Sequence, residues 1–274
     1  MLAAAAPLTP RALRTRWALA RLARASAVPG WTGAPVRAMG LVFPGPLGLA
    51  AGVDRHGVLG GQADRLGLGS IEIGTLAVGA PRPFAAGIAP SGVAARCGAS
   101  IGKRASTPWA QAEDDYVRAL LAFHPRADYV TLNPGRDRPS AARFAHLTGM
   151  LAQVRDRVAA ERGRRLPLVV KLPSAWLAER DRVHVAAAFV AACADGLLVS
   201  AEGTRSRLAA RAVLAELAQS LGRDVCLISV GGIDSVREAR SRLRAGARLI
   251  QLHRAIAARD MQLIGHLNRA LVCG

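Results

Sequence analysis

A (β/α)8 barrel of the TIM type, preceded by a short helical extension, is the fold this sequence predicts. Three observations carry the prediction. Eight short apolar runs recur along the chain, helical stretches lie between most of them, and polar or small residues gather at the C-terminal ends of the runs. The length of 274 residues suits one such barrel, with a division expected between an extension over 1–38 and the barrel over 39–274.

The runs occupy 47–52, 70–75, 99–103, 129–133, 168–172, 196–200, 226–231 and 248–253. Most are continuously apolar, the pattern of parallel strands buried on both faces. Helical spacing fills 109–123, 141–161, 178–194, 206–221 and 236–245. The second unit is thin, because 76–96 is crowded with proline and glycine and holds no helical pattern. Before the first run, Thr9 and Pro10 offer an N-cap and a first helical residue, and a helix is expected from about 10 to 25, stopped by Pro29 and Gly30. No acidic residue precedes Asp54, whereas Arg11, Arg14, Arg16, Arg21, Arg24 and Arg37 fall in this part. That helix reads either as one lying on an anionic membrane surface or roofing a ligand mouth, or as an arm packed on the barrel.

The formal charge is +18, from 37 basic against 19 acidic residues. Only Lys103 and Lys171 are lysines, and the wealth of Arg, Ala and Gly reads as compositional bias. The bases are scattered and aromatics make up only 4%, so no nucleic-acid partner is expected. Cys97, Cys193, Cys226 and Cys273 stand far apart without a CxxC, which excludes a zinc knuckle or disulfide framework and fits a reducing compartment. There is neither a signal-peptide pattern nor a long apolar span, so a cytoplasmic location is expected, with peripheral membrane contact left to the N-terminal helix.

In a barrel of this kind the reacting groups sit at the C-terminal strand ends. Asp54 and Arg55 follow the first run, Thr75 the second, Lys103 the third and Asn133 the fourth, while Lys171 lies on the fifth and Ser200 ends the sixth. After the seventh comes SVGGIDS, 229–235, where Gly231 and Gly232 let backbone approach an anion before a helix N-terminus. The reading is a phosphate cradle; the alternative is a glycine turn that serves packing alone. Lys171 stands out in an arginine-biased chain, as a demand for a compact ammonium on a buried strand.

The stretches MGLVFPGPLGLAAGVDRHG (39–57), LGLGSIEIGT (66–75), IGKRASTP (101–108), VVKL (169–172), GLLVS (196–200), SVGGIDS and AGARLIQLH (245–253) resemble, in order and spacing, the dihydroorotate dehydrogenases of the quinone-using class 2. The resemblance implies an FMN barrel that passes hydride from dihydroorotate to the flavin and then to quinone. Carried across residue by residue, FMN would meet Ala51, Gly52, Thr75, Ser100, Asn133, Lys171, Ser200, Gly231, Gly232, His253 and Arg254, and substrate would meet Arg55 and Asn133. A lysine at the pyrimidine edge of the flavin stabilises charge that the reduced ring acquires. The family's helical N-terminal extension forms the quinone passage.

Departures from the pattern are as specific. The family's proton-accepting serine lies in an NxSSPN loop after the fourth strand; here LNPGRDRPSAAR puts Gly135 or Arg136 at that position. Neither can act as base. Ser140, Cys97, His56, His124 and Asp137 are the other candidates. The FNN segment is absent, Ala201 and Ser100 replace asparagines, Arg55 replaces a lysine, and His253 and Arg254 replace the tyrosine and small hydroxyl residue at the phosphate. Arg254 offers a guanidinium fork instead. Beside the oxidoreductase reading stand a catalytically silent barrel that binds FMN or a phosphate ligand and acts through a partner, and a basic surface-binding scaffold.

Overall fold

The computed structural model describes residues 31–55, 57, 59, 63–79, 95–178, 180–202, 204, 206–253 and 262–272. The expected N-terminal helix, and most of the thin second unit, lie outside these residues.

A small hairpin comes first: β1 (Val36–Ala38) pairs antiparallel with β2 (Leu41–Phe43). Met39 (φ 54°) and Gly40 (φ 73°) turn the chain between them, both left-handed, as a two-residue connection between twisted strands requires. Sequence reading missed this hairpin, whose strands are too short to leave a period-two signature.

Eight strands then close into a parallel barrel: β3 (Leu47–Leu49), β4 (Ser70–Leu76), β5 (Arg96–Ile101), β6 (Tyr129–Leu132), β7 (Leu168–Leu172), β8 (Gly196–Ser200), β9 (Cys226–Val230) and β10 (Leu249–Leu252). The ring runs from β3 to β10 in chain order and shuts where β10 pairs with β3, Gln251 opposite Gly48. All eight apolar runs are therefore strands. The third starts earlier than expected, at Arg96, because an arginine opening a strand reads as loop in sequence. Outside the ring lie α1 (Ala112–Phe123), α2 (Ala141–Arg162), α3 (Ser174–Leu177), α4 (Arg182–Ala191), α5 (Arg207–Leu221), α6 (Val236–Arg244) and α7 (Gln262–Val272). The helix expected over 178–194 is shorter, α4 alone, and the one-turn α3 lies before it. Serines cap three of the helices: Ser140, Ser206 and Ser235 accept backbone N–H bonds from Arg143, Ala209 and Glu238.

Strand alternation sorts the barrel into two cores. Leu47, Leu49, Ile71, Ile73, Val130, Leu132, Val170, Leu172, Ile250 and Leu252 face outward into the core shared with the helices. Ala50, Tyr129, Val169, Leu198, Cys226, Ile228, Val230 and Leu249 form a separate inner core, which Ala38 and Phe43 of the hairpin join. The hairpin thus plugs the N-terminal end of the barrel. Arg96 Nε donates to the Val42 carbonyl at 2.7 Å and Arg248 Nη1 to the Arg37 carbonyl at 3.2 Å, tying plug to ring. Phe43 leans on Tyr129, ring centroids 6.3 Å apart.

Small residues make room for that plug. A Cβ on Gly196 would reach 3.0 Å from the Met39 sulfur, and one on Gly98 would collide with the Tyr129 ring. Gly98→Ala is expected to destabilise the protein by about 1–3 kcal/mol through overpacking. Urea unfolding monitored by circular dichroism checks it; an unchanged midpoint would contradict the inner packing described here.

Candidate functional site

At the opposite end of the ring, Thr75, Ser100 and Asn133 close the tops of β4, β5 and β6. Asn133 Nδ2 donates to Thr75 Oγ1 at 2.7 Å, its Oδ1 accepts the Gly135 N–H at 3.1 Å, and Thr75 and Ser100 hydroxyls lie 3.5 Å apart. The Tyr116 hydroxyl donates to the Asn133 carbonyl at 2.6 Å, and burial pushes its pKa up, so it stays a donor. Next door, Gly52 donates its N–H to the Gly74 carbonyl at 2.8 Å. Gly52 adopts φ +93°, and a Cβ there would come within 3.3 Å of His253 Nε2. A side chain there would crowd the His253 ring and strain the left-handed backbone. Asp54, fully buried, accepts the Leu59 N–H at 2.9 Å and shapes the loop after β3, while Arg55 stands exposed beside it.

Lys171 projects half-buried from β7 on the same inward register as Val169. Below it lies a carboxyl that sequence reading passed over. Glu72, 1% exposed, accepts on Oε2 from Thr131 Oγ1 at 2.9 Å, Gln251 Nε2 at 3.0 Å and the Tyr129 hydroxyl at 3.4 Å. Desolvation raises its pKa, partly offset by the Gln251 and Thr131 bonds and by the charge of Lys171. An acid between two isoleucines in an apolar run was the available signal.

The turn after β9 is left-handed twice over, Gly231 at φ +94° and Gly232 at φ +71°. Behind it, Arg242, 1% exposed, donates to Glu238 Oε1 at 2.6 Å, to Ser229 Oγ at 3.1 Å and to the Gly231 carbonyl at 3.5 Å. Arg211 donates to the other Glu238 oxygen at 2.9 Å. Two guanidiniums on one buried carboxylate fix the turn from the helix side, an arrangement that sequence spacing alone did not reveal. Consecutive left-handed glycines ahead of the Ser235-capped α6 form a concavity suited to a phosphate. Gly232 is open above, its nearest would-be contact being Arg242 Nη2 at 3.8 Å. These residues fit a phosphorylated ligand. Ser200 is buried at the end of β8 and accepts the Glu202 N–H at 3.3 Å, so its hydroxyl holds the neighbouring turn.

The loop after β6 carries Gly135, Arg136, Asp137 and Arg138, all exposed. Lys103 Nζ pairs with Asp137 at 3.6 Å and sits 5.3 Å from the Trp109 ring centroid, while Trp109 Nε1 donates to the Asp137 carbonyl. Residues 136–141 and Trp176 line a hollow of about 470 Å³. No replacement base emerges here among the described residues. Ser140 serves as the α2 cap. Cys97 faces outward near the start of β5, its thiol pushed up by burial, and His124 ends α1 at the base of the barrel. Asp137 is an exposed ion-pair partner, and His56 and Arg254 lie outside the described residues. No group of His, Cys, Asp and Glu that could hold a metal occurs among the described residues.

No family model matches the chain. A dihydroorotate dehydrogenase (quinone) from Alkalilimnicola ehrlichii is 34% identical over 295 residues, covering 86% of each chain. Another from Verminephrobacter eiseniae is 31% identical, covering 86% of this chain and 82% of its own. Among solved structures, the ligand-free DHODH of Eimeria tenella matches with a TM-score of 0.75 at 20% identity, over 94% of this chain and 92% of that one, a likeness of fold. With the parallel barrel, its polar mouth and relatives of this identity and coverage together, the chain belongs to the dihydroorotate dehydrogenase family, in its quinone-dependent class.

Proposed function

We propose that the mouth of this barrel binds FMN and that the protein is a flavin-dependent oxidoreductase, taking hydride slowly from dihydroorotate or a related small cyclic anion and passing electrons to a quinone. The observation that carries the reading is the placing of Lys171, the linked Thr75 and Asn133, and the Gly231–Gly232 turn around one end of one barrel. Bound FMN would supply a two-electron carrier. Lys171 would hold the electron-rich edge of its ring with a fixed ammonium. Gly231, Gly232 and the start of α6 would take its phosphate, and Ala51, Gly52, Ser100, Ser200, His253 and Arg254 complete the proposed contacts.

On the substrate side, Arg55 offers a charge for a carboxylate and Asn133 an amide already oriented by Thr75 and Gly135. What is missing among the described residues is a proton acceptor. Gly135 has no side chain and the Arg136 guanidinium keeps its proton, so this chain forgoes the roughly 10²- to 10⁴-fold that a positioned base contributes. That is why dihydroorotate oxidation is proposed as slow. Quinone and membrane contact are assigned to the arginine-rich segment 1–30, giving a peripheral association; among the described residues no helix is long and apolar enough to cross a membrane.

The absorbance spectrum of the purified protein tests the cofactor, and anaerobic bleaching by dihydroorotate tests the chemistry. Bleaching by dithionite but not by dihydroorotate would favour the silent barrel, and a colourless protein that takes up no added FMN would sink both readings. Lys171→Ala is expected to weaken FMN retention at least tenfold in equilibrium dialysis while leaving the circular dichroism spectrum unchanged. Ser140→Ala should cost about 1 kcal/mol of stability as a lost cap, with the bleaching rate unaltered; a bleaching rate lowered a hundredfold would instead make Ser140 the base.

A further inference from the structure

We propose that Glu72 is the proton-exchanging group of the barrel floor: it takes one proton from solvent when the ligand ring held by Lys171 gains negative charge, and releases it when that charge leaves. The proposal rests on the FMN reading above.

The geometry behind it is a carboxyl inside a closed ring. Three donors, two from β6 and one from β10, converge on Oε2. An oxygen accepting from Tyr129, Thr131 and Gln251 cannot also carry the acid proton, so Oε1 is where a proton adds. Gln251, already bonded to Glu72, keeps its own Oε1 buried with no donor. The O–H of a protonated Glu72 is a donor in that same cluster. Buried acceptors left without donors are costly, so the cluster gains when the acid is neutral.

Lys171 supplies the coupling. Its charge favours the ionised form of Glu72, yet no ion pair joins the two, so the ammonium is shared between the carboxyl below and whatever anion binds above. A second anion on Lys171 makes the first harder to keep. Adding charge to the ligand must therefore raise the affinity of Glu72 for a proton, and by linkage a neutral Glu72 must favour the charged ligand. Other titratable groups around Glu72 are the Tyr129 phenol, raised by burial, the Cys97 thiol on the outer face of β5, the Cys226 thiol of the inner core, pushed up to about 12 by burial, and His253 past the end of β10. The step balances as follows. The ring accepts two electrons from the electrode of the titration below and one proton from water, and Glu72 accepts one further proton from water.

The test is a spectroelectrochemical titration of the FMN-loaded protein from pH 5 to 9. Wild type is expected to take one proton per two electrons at low pH, where Glu72 is neutral in both redox states, two at higher pH, where only the charged ligand keeps it neutral, and one again beyond that, so the slope of potential against pH doubles and then halves at an upper break, by 29.6 mV per pH unit. Glu72→Gln should show one proton throughout. Gln251→Leu, which removes a donor to the carboxylate, should move the upper break to higher pH, and it decides the matter if Glu72→Gln loses its fold. A break unmoved in both variants, or an unbroken slope in flavin-loaded wild type, overturns this proposal alone. Failure of wild type to take up FMN overturns the flavin assignment as well.

The apo protein gives a second readout. Glu72 is held above its ordinary 4.5, so its proton stabilises the fold at low pH, and that contribution is lost as pH rises through the raised value. The unfolding free energy of wild type relative to Glu72→Gln should fall as pH rises above 4.5. A difference independent of pH contradicts the assignment.

Discussion

A parallel strand in a closed ring has no solvent face, and every side chain on it must be either part of the outer core or part of the inner one. That constraint governs this molecule. The outward register is filled almost entirely by Leu, Ile and Val. The inward register is short of space and grades along the axis, from glycine and Tyr129 at the plugged base, through the Glu72 cluster, to Lys171, Asn133 and Ser200 at the mouth. Above the Glu72 cluster, whose members bond one another, polar groups gather where the ring opens, because there water or a ligand satisfies them. The position of the site follows from closure before any particular chemistry is considered.

The same constraint explains what could be read in advance. Burial on both faces makes apolar runs continuous, so eight strands and their order are legible, as are the residues at their ends. Legibility stops where a partner is distant in the chain. Nothing local to Glu72 shows that its donor is Gln251, 179 residues away, and nothing near Arg242 shows that Arg211 shares its carboxylate. The hairpin at 36–43 was missed for a different reason: three-residue strands carry no period. The helix read over 178–194 is α4 alone, and the one-turn α3 at 174–177 was missed because four residues carry no helical period.

The mouth shows two kinds of construction side by side. The turn after β9 is held from behind by Arg242 and Arg211 on the buried Glu238 carboxylate. The half formed by the loop after β6 is exposed arginine and aspartate, clamped mainly through Asp137 to Lys103 and Trp109. In this loop Gly135 and Arg136 offer no proton acceptor, and Arg136 and Arg138 give it an exposed cationic surface.

The bond between Gln251 and Glu72 has a bearing on how the chain comes to fold. It joins the second strand of the ring to the last, and Asn268 reaches back 201 residues to the Gly67 carbonyl. Until β10 docks, the Glu72 carboxyl sits in an open sheet with one of its donors absent. Closure of such long loops is slow and comes late, because entropy must be surrendered before the contacts repay it. During synthesis the inner cluster therefore cannot assemble until the final strand has left the ribosome, and a chain cut short before residue 251 leaves the Glu72 carboxyl without its Gln251 donor.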